Sequence, residues 1–164
     1  ASSLYRCLSK TIFSASTLIK ILNDEICETT TRGMFVTMIV GVYDKNKNEL
    51  LLSNAGHEPP LIFSKEGNFK TIDEAGPPLG IAPNFKFTEQ TISFKESSMY
   101  IFTDGITEMK NNNGEMLGQE GFQDYIKKYQ STPNNKRLQK MIEDLIGSGR
   151  IQKDDLTIVT VDGK

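Results

Sequence analysis

Three aspartates stand at the ends of two apolar, β-rich segments, where carboxylates can bind metal ions. Asp104 directly follows residues 99–103, and Asp154 and Asp155 directly precede residues 156–161. Carboxylate oxygens are the hard ligands that Mg²⁺ and Mn²⁺ prefer, and these ions keep several waters and need only a few protein carboxylates. The pattern therefore indicates a divalent-metal hydrolase.

The placement of these acids suggests that they share one edge of a sheet. If the two segments are neighbouring antiparallel strands, the end of the first lies beside the start of the second, and the carboxylates face one rim. An Asp-Gly pair also commonly makes a turn, and an Asp-Asp pair before a strand is often a solvated loop. The spacing alone leaves both interpretations open.

The other residue types exclude several kinds of site. His57 is the only histidine, and neither Cys7 nor Cys27 has a neighbour at metal-ligand spacing, so a zinc site is not expected. A Ser-His-Asp triad would need His57, but no Gly-x-Ser-x-Gly elbow is present. We therefore expect His57 to be fixed in a tight turn flanked by glycine and proline.

The first predicted element is a helix over residues 4–28. Its apolar residues recur at alternating spacings of three and four, which favours an amphipathic helix lying on a sheet over a coiled coil or dimerisation seam. Cys7 and Cys27 would lie about 30 Å apart in such a helix and could not form a disulfide. The apolar stripe consists of Tyr5, Leu8, Ile12, Ala15, Ile19, Leu22 and Ile26.

The rest of the chain alternates between β-rich segments, turns and amphipathic segments. The segment 34–72 is predicted to form a meander, and the loop 76–80 is ordered by its glycines and prolines. We predict strands at 35–43, 49–55, 61–64, 69–72, 87–92, 98–103 and 156–161, and helices at 119–129 and 134–146.

Composition is that of one globular domain. The chain has 164 residues, of which 37% are hydrophobic and 24% charged, and its net charge is −2. It has no apolar run long enough to cross a membrane and no basic stripe for nucleic acid. Two thiols without a disulfide partner and the lack of a signal-peptide pattern predict a cytoplasmic location.

Five motifs are spread over nearly the whole chain. They are GMFVT at 33–37, NAGHEPP at 54–60, PLG at 78–80, TDGITE at 103–108 and DDLT at 154–157. Together and in this order, the motifs resemble the SpoIIE/RsbU-type bacterial branch of the PPM metal-dependent protein serine/threonine phosphatases. The resemblance implies an α+β fold, a four-layer αββα sandwich of mostly antiparallel sheets.

The resemblance also implies a site with two Mn²⁺ or Mg²⁺ ions, in which Asp104 and Asp154 are metal ligands. A metal-activated hydroxide would attack the phosphorus of phosphoserine or phosphothreonine in line with the leaving oxygen, without a phospho-enzyme. Asn54 and His57 are possible substrate contacts, because the family's equivalent turn lies near the active-site end. The residues given supporting roles are Asp155, Gly105, Glu108, Asn54 and His57.

One departure from the family pattern concerns the start of the chain. Complete members carry two strands and a Gly-Asp-x-x-Gly-His-Gly-like segment before the first helix, and that segment supplies further metal ligands. We therefore expect residues 1–164 to form a partial phosphatase domain that lacks the N-terminal strands and is nearly inactive alone. Sheet edges exposed in this way would favour pairing with another chain, so we expect that the chain can form a homodimer.

The leading functional hypothesis is hydrolysis of a phosphorylated regulatory protein. The resemblance implies a small anti-anti-sigma-type partner in bacterial signalling. The alternative from another class is a catalytically silent PPM-fold module that binds a partner or dimerises through the stripe of the first helix.

Overall fold

The computed structural model describes residues 5–6, 8–29, 33–93 and 95–163, which form an α+β fold. None of the helices in this described part is long and apolar enough to cross a membrane. The helices are α1 (Ala15–Thr29), α2 (Asp104–Thr107), α3 (Gly118–Lys128) and α4 (Asn134–Gly147). The strands are β1 (Met38–Asp44), β2 (Glu49–Ala55), β3 (Leu61–Ser64), β4 (Phe69–Thr71), β5 (Gln90–Ser93), β6 (Ser97–Phe102) and β7 (Ile158–Asp162).

The chain divides into two units, and the first contains the described residues up to 59 together with 72–97 and 163. Its antiparallel sheet has the order β1-β2-β5 and begins with a hairpin in which Asp44 pairs with Glu49. The apolar face of α1 packs on β1 and β2, which confirms the predicted amphipathic helix on a sheet. The core of this unit contains Ala15, Leu18, Ile19, Leu22, Ile26, Val40, Ala55, Leu79 and Phe87.

The predicted single helix over 4–28 is wrong in its first half. Residues 9–14 form turns and irregular backbone, and α1 begins at Ala15. The Ser14 hydroxyl accepts a hydrogen bond from Thr17 N at 3.2 Å, and the Glu89 carboxylate accepts one from Ser16 N at 3.0 Å. The first backbone amides of a helix have no acceptor within the helix. The Ser14 hydroxyl and the Glu89 carboxylate accept hydrogen bonds from two such amides, which favours a helix start at this point. Cys7 lies outside the described residues, and the predicted separation from Cys27 is untested.

The central part of the apolar stripe on α1 does not form a dimer interface. Ile19 and Leu22 are fully buried and Ile26 is 8% exposed, all against the chain's own sheet. A side chain buried in its own unit has no surface to offer a partner. The dimerisation hypothesis based on these residues is therefore wrong, while homodimerisation by another surface stays a prediction.

The second unit contains residues 60–71 and 98–162. Its sheet has the order β4-β3-β6-β7, with antiparallel pairing of β6 and β7 from Ser98↔Asp162 to Phe102↔Ile158. The apolar faces of helices α3 and α4 pack into the same core as this sheet, and both helices were predicted from the sequence. The core contains Leu61, Phe63, Tyr100, Phe102, Ile106, Met109, Leu117, Phe122, Ile126, Met141 and Leu145.

Strand boundaries, strand pairing and one helix differ from the prediction. Strand β1 begins three residues later than predicted, and β7 begins two residues later. The segment 34–72 is not a meander, because β3 and β4 belong to a different sheet from β1 and β2. The strand predicted at 87–92 begins at Gln90, while Phe87 fills the first unit's core outside any strand. The four-residue helix α2 was not predicted.

Candidate functional site

The pairing of β6 with β7 places two predicted metal-binding segments side by side. Asp104 follows β6, and Asp154 and Asp155 precede β7. Beyond the last strand pair, Thr103 N donates a hydrogen bond to Thr157 O at 3.2 Å, so the ladder continues to the edge of the sheet. The predicted antiparallel arrangement of these two segments is confirmed.

The Thr103 side chain makes two further hydrogen bonds across this junction. Its Oγ1 donates to the backbone oxygen of Asp155 at 3.0 Å. The same Oγ1 accepts from Thr157 N at 3.1 Å. The hydroxyl therefore joins the end of β6 to the segment that leads into β7.

Gly105 brings the two segments into backbone contact. A β-carbon at position 105 would lie 2.5 Å from the oxygen of Asp155 and 3.4 Å from the carbonyl carbon of Asp154. Real β-carbons do not approach backbone atoms that closely. Glycine is therefore required by the close approach of the Asp154–Asp155 segment.

The three aspartates at this junction are exposed to solvent. Asp104 is the first residue of α2, and its backbone oxygen accepts hydrogen bonds from Glu108 N at 2.8 Å and Thr107 Oγ1 at 3.1 Å. One carboxylate oxygen of Asp154 accepts a bond from Asp155 N at 2.7 Å. The acids thus lie on ordered backbone with access to water and ions.

Glu108 is the C-cap residue of α2, and its backbone N–H donates a hydrogen bond to the backbone oxygen of Asp104. Its side chain is exposed. A supporting role for the Glu108 carboxylate in the metal site stays a prediction.

A shallow cleft of about 310 Å³ opens beside the acidic pair and is lined by Gln152, Lys153, Asp154 and Asp155. Gln152 Nε2 donates to the backbone oxygen of Asp154 at 2.9 Å, which orders the segment. Lys153 also lines this cleft. Neither residue was predicted from the sequence, where the only signal was a position directly before the Asp-Asp pair.

Asn54 and His57 belong to the first unit, where they build a turn. The Asn54 side chain is fully buried, donates to His57 O at 2.9 Å and accepts from His57 N at 2.9 Å. His57 Nδ1 lies 3.2 Å from Thr37 Oγ1. Gly56 has φ +65°, and a β-carbon there would lie 2.4 Å from Pro78 Cδ. The expectation that His57 is fixed in a tight turn is confirmed, and substrate contact stays a prediction.

The residues at the β6–β7 junction fit a hard divalent cation in type. Mg²⁺ binds one or two carboxylates and completes its shell with water and substrate phosphate, which matches the exposed Asp104 and Asp154. Among the described residues, no group of three or more His, Cys, Asp or Glu side chains is placed to hold a metal ion. Metal binding by Asp104 and Asp154 at this junction stays a prediction.

Comparison with known proteins gives a match over the whole chain. A model of the family Stage II sporulation protein E (SpoIIE) matches residues 1–164. Protein IcfG from Synechocystis sp. is 31% identical over 93% of this chain and 24% of its own length. Phosphoserine phosphatase RsbU from Bacillus subtilis is 26% identical over 94% of this chain and 47% of its own length. The chain thus spans a quarter to a half of these relatives.

Solved structures share the fold. The RsbU and RsbW domains of Rv1364c from Mycobacterium tuberculosis give a TM-score of 0.81 at 19% identity, over 99% of this chain and 45% of that one. The SiaA-PP2C domain of Pseudomonas aeruginosa gives 0.79 at 13% identity, over 98% and 66%. The Mn-presoaked SpoIIE phosphatase domain from Bacillus subtilis gives 0.64 at 17% identity, over 98% and 70%. The predicted α+β sandwich and the family resemblance are confirmed.

Proposed function

Because this chain belongs to the SpoIIE family, we propose that it contributes a metal-binding half to a phosphatase domain that hydrolyses phosphoserine or phosphothreonine. The observation that carries the proposal is the junction of β6 and β7, where Gly105 contacts the Asp154–Asp155 segment. Two relatives support it, since one is named a phosphoserine phosphatase and another is a phosphatase domain presoaked with manganese.

In this proposal Asp104 and Asp154 hold a divalent cation at the exposed edge of the sheet. When bound, Mn²⁺ or Mg²⁺ lowers the pKa of a coordinated water and offsets negative charge on the phosphoryl oxygens. The complete domain would hold two such ions. Lys153 attracts the phosphate dianion into the cleft beside the acids.

The covalent chemistry is a single in-line displacement. The water oxygen forms a bond to phosphorus while the bond from phosphorus to the serine or threonine oxygen breaks. The products are inorganic phosphate and the free hydroxyl side chain. The fixed backbone at Thr103 and Gly105 keeps the carboxylates in place during this step.

The proposed substrate is a phosphorylated regulatory protein of the anti-anti-sigma type in the cytoplasm. The support is the likeness to RsbU and to a protein in which RsbU and RsbW domains occur together. No nucleic acid takes part, in keeping with the net charge of −2.

We further propose that residues 1–164 alone are a partial domain with little turnover. Asp104 and Asp154 are the predicted ligands at the junction, and the described residues contain no set of three or more His, Cys, Asp or Glu side chains placed to hold a metal ion. Holding two cations close together requires more negative charge than this. The same observation favours the second candidate, a catalytically silent module that binds a partner protein.

Mn²⁺-dependent hydrolysis of p-nitrophenyl phosphate and of a phosphoserine peptide tests the proposal. We expect slow turnover by the 164-residue chain, faster turnover by an N-terminally extended form, and loss of activity in the extended form with Asp104→Asn. Equal turnover by both lengths would contradict the partial-domain proposal. An inactive extended form that still binds a phosphoprotein would establish the binding module instead.

A further inference from the structure

We propose that Thr103 is a positioning residue whose hydroxyl fixes Asp104 relative to Asp154 and thereby sets the affinity of the site for Mn²⁺. This inference rests on the proposed function. It assigns a separate role to the first residue of the TDG motif, beyond the predicted ligand Asp104.

The first argument is the geometry of the hydroxyl. Thr103 Oγ1 donates to Asp155 O at 3.0 Å and accepts from Thr157 N at 3.1 Å, so it uses its proton and a lone pair on two backbone groups of one segment. Thr103 N adds a third bond, to Thr157 O at 3.2 Å. Three hydrogen bonds from one residue hold the entry to β7 against the exit from β6.

Thr103 also does not make the local hydrogen bond that is usual at a helix start. Thr103 occupies the N-cap position of α2 with φ −91° and ψ 155°, the extended conformation that a capping residue adopts. A threonine in this position normally accepts a bond from an amide in the first turn of its own helix. Here there is no side-chain capping bond, and the hydroxyl is directed to the neighbouring segment instead.

The third argument is the position of the hydroxyl between the acids. Thr103 directly precedes Asp104, and its acceptor Asp155 directly follows Asp154. Each predicted ligand is therefore one residue from an atom in this hydrogen-bonded junction. Some groups do not bind the metal themselves but orient its ligands, and their removal typically lowers metal affinity by about 10–100-fold.

The experiment compares Thr103→Val, which keeps the branched shape without the hydroxyl, with Thr103→Ser, which keeps the hydroxyl. Thr103→Ala is a second hydroxyl-free variant. In ¹⁵N-labelled 164-residue protein, NMR measures two quantities: hydrogen exchange of the Thr157 amide, and the Mn²⁺ concentration that half-broadens the Gly105 and Asp155 amide signals. This titration detects weak metal binding and needs no turnover.

We expect Thr103→Ser to match the wild type in both measurements. We expect Thr103→Val and Thr103→Ala to exchange the Thr157 amide faster and to require about tenfold more Mn²⁺. Unchanged Thr157 exchange in both hydroxyl-free variants would overturn the hydrogen-bonded junction. Faster exchange with an unchanged Mn²⁺ titration would overturn its link to the metal.

Asp104→Asn separates this inference from the function on which it rests. If the wild type and Asp104→Asn broadened at the same Mn²⁺ concentration, the proposed metal site would be wrong. The Thr157 exchange rates would still decide whether the hydroxyl holds the junction, because they are measured without metal.

Discussion

Gly105 lies so close to Asp155 that a β-carbon on the glycine would be 2.5 Å from the carbonyl oxygen of the aspartate. Rotation of a side chain cannot relieve a contact with backbone, so Gly105→Ala must push the Asp155 segment away from α2. We expect a loss of about 1–3 kcal/mol in the free energy of unfolding and weaker Mn²⁺ binding. Urea unfolding and a Mn²⁺ titration of the same protein measure the two effects.

Gly147 supplies the matched control. It lies at the end of α4, and apart from its chain neighbours and the nearby backbone of its own helix, a β-carbon there would have no atom within 4 Å. Gly147→Ala should leave stability unchanged or raise it by up to about 1 kcal/mol, since alanine favours helix. Equal effects of the two substitutions would contradict the role of the close contact at Gly105.

Replacing single acids at the junction should separate metal ligands from their neighbour. Asp104→Asn and Asp154→Asn remove the charge of a proposed ligand while keeping its shape, and we expect each to lower Mn²⁺-dependent turnover by about a hundredfold or more. Asp155→Asn should lower it by about tenfold or less, as expected for a supporting group. Turnover of p-nitrophenyl phosphate by the extended form is the measurement, and a loss for Asp155→Asn as large as for Asp104→Asn would reverse the assignment.

Lys153 should act on substrate binding. Lys153 lines the same cleft as Asp154 and Asp155, and a cationic side chain there would attract the phosphate dianion of the proposed substrate. Lys153→Ala is expected to raise KM for a phosphopeptide by about three- to tenfold, with little change in kcat, and the difference should shrink in high salt. Lys45→Ala, in the exposed turn between β1 and β2, is the control. An equal change in KM for both variants would contradict the proposal.

Glu89 links the stability of the first unit to pH. The hydrogen bond from Ser16 N lowers the pKa of the Glu89 carboxyl from its ordinary value of 4.5. A carboxyl with a depressed pKa in the folded state stabilises the protein above its unfolded-state pKa and loses that contribution as the pH falls through the folded value.

The corresponding prediction concerns Glu89→Gln. We expect this substitution to lower the free energy of unfolding by about 0.5–1 kcal/mol at pH 7, as for loss of a charge at a helix start. The decrease should become smaller as the pH falls below about 4.5. Urea unfolding at pH 7 and pH 3.5 measures this. Glu74→Gln, at an exposed position outside any helix or strand of the same unit, is a control for general charge effects. A cost for Glu89→Gln that does not depend on pH would show that the cap is not electrostatic.

Local sequence patterns predicted the elements that are fixed by local physics. The hairpin of β1 and β2 follows from two apolar strands around a polar turn, and α3 and α4 follow from their periodicity. The break at residues 9–14 could not be predicted this way. The Glu89 carboxylate that helps to start α1 is 73 residues away from Ser16.

The candidate site shows the same division. The types and order of Asp104 and Asp154 indicated metal chemistry and an antiparallel pair of strands, and that pairing is confirmed. The contribution of Thr103 was not predicted, because a threonine at a helix N-cap normally bonds within its own helix. The sheet to which β3 and β4 belong could not be predicted from periodicity either. Periodicity shows which face of a strand is apolar, but it does not show which strands pair with it.

The way Asp155 joins the junction has an evolutionary consequence. It meets Thr103 and Gly105 through its backbone carbonyl group, and every amino acid carries that group. The side chain at position 155 should therefore vary more than those at positions 104 and 154. Position 105 should remain glycine, and position 103 should exchange only between threonine and serine. Natural variants of this sequence provide a record against which this pattern can be checked.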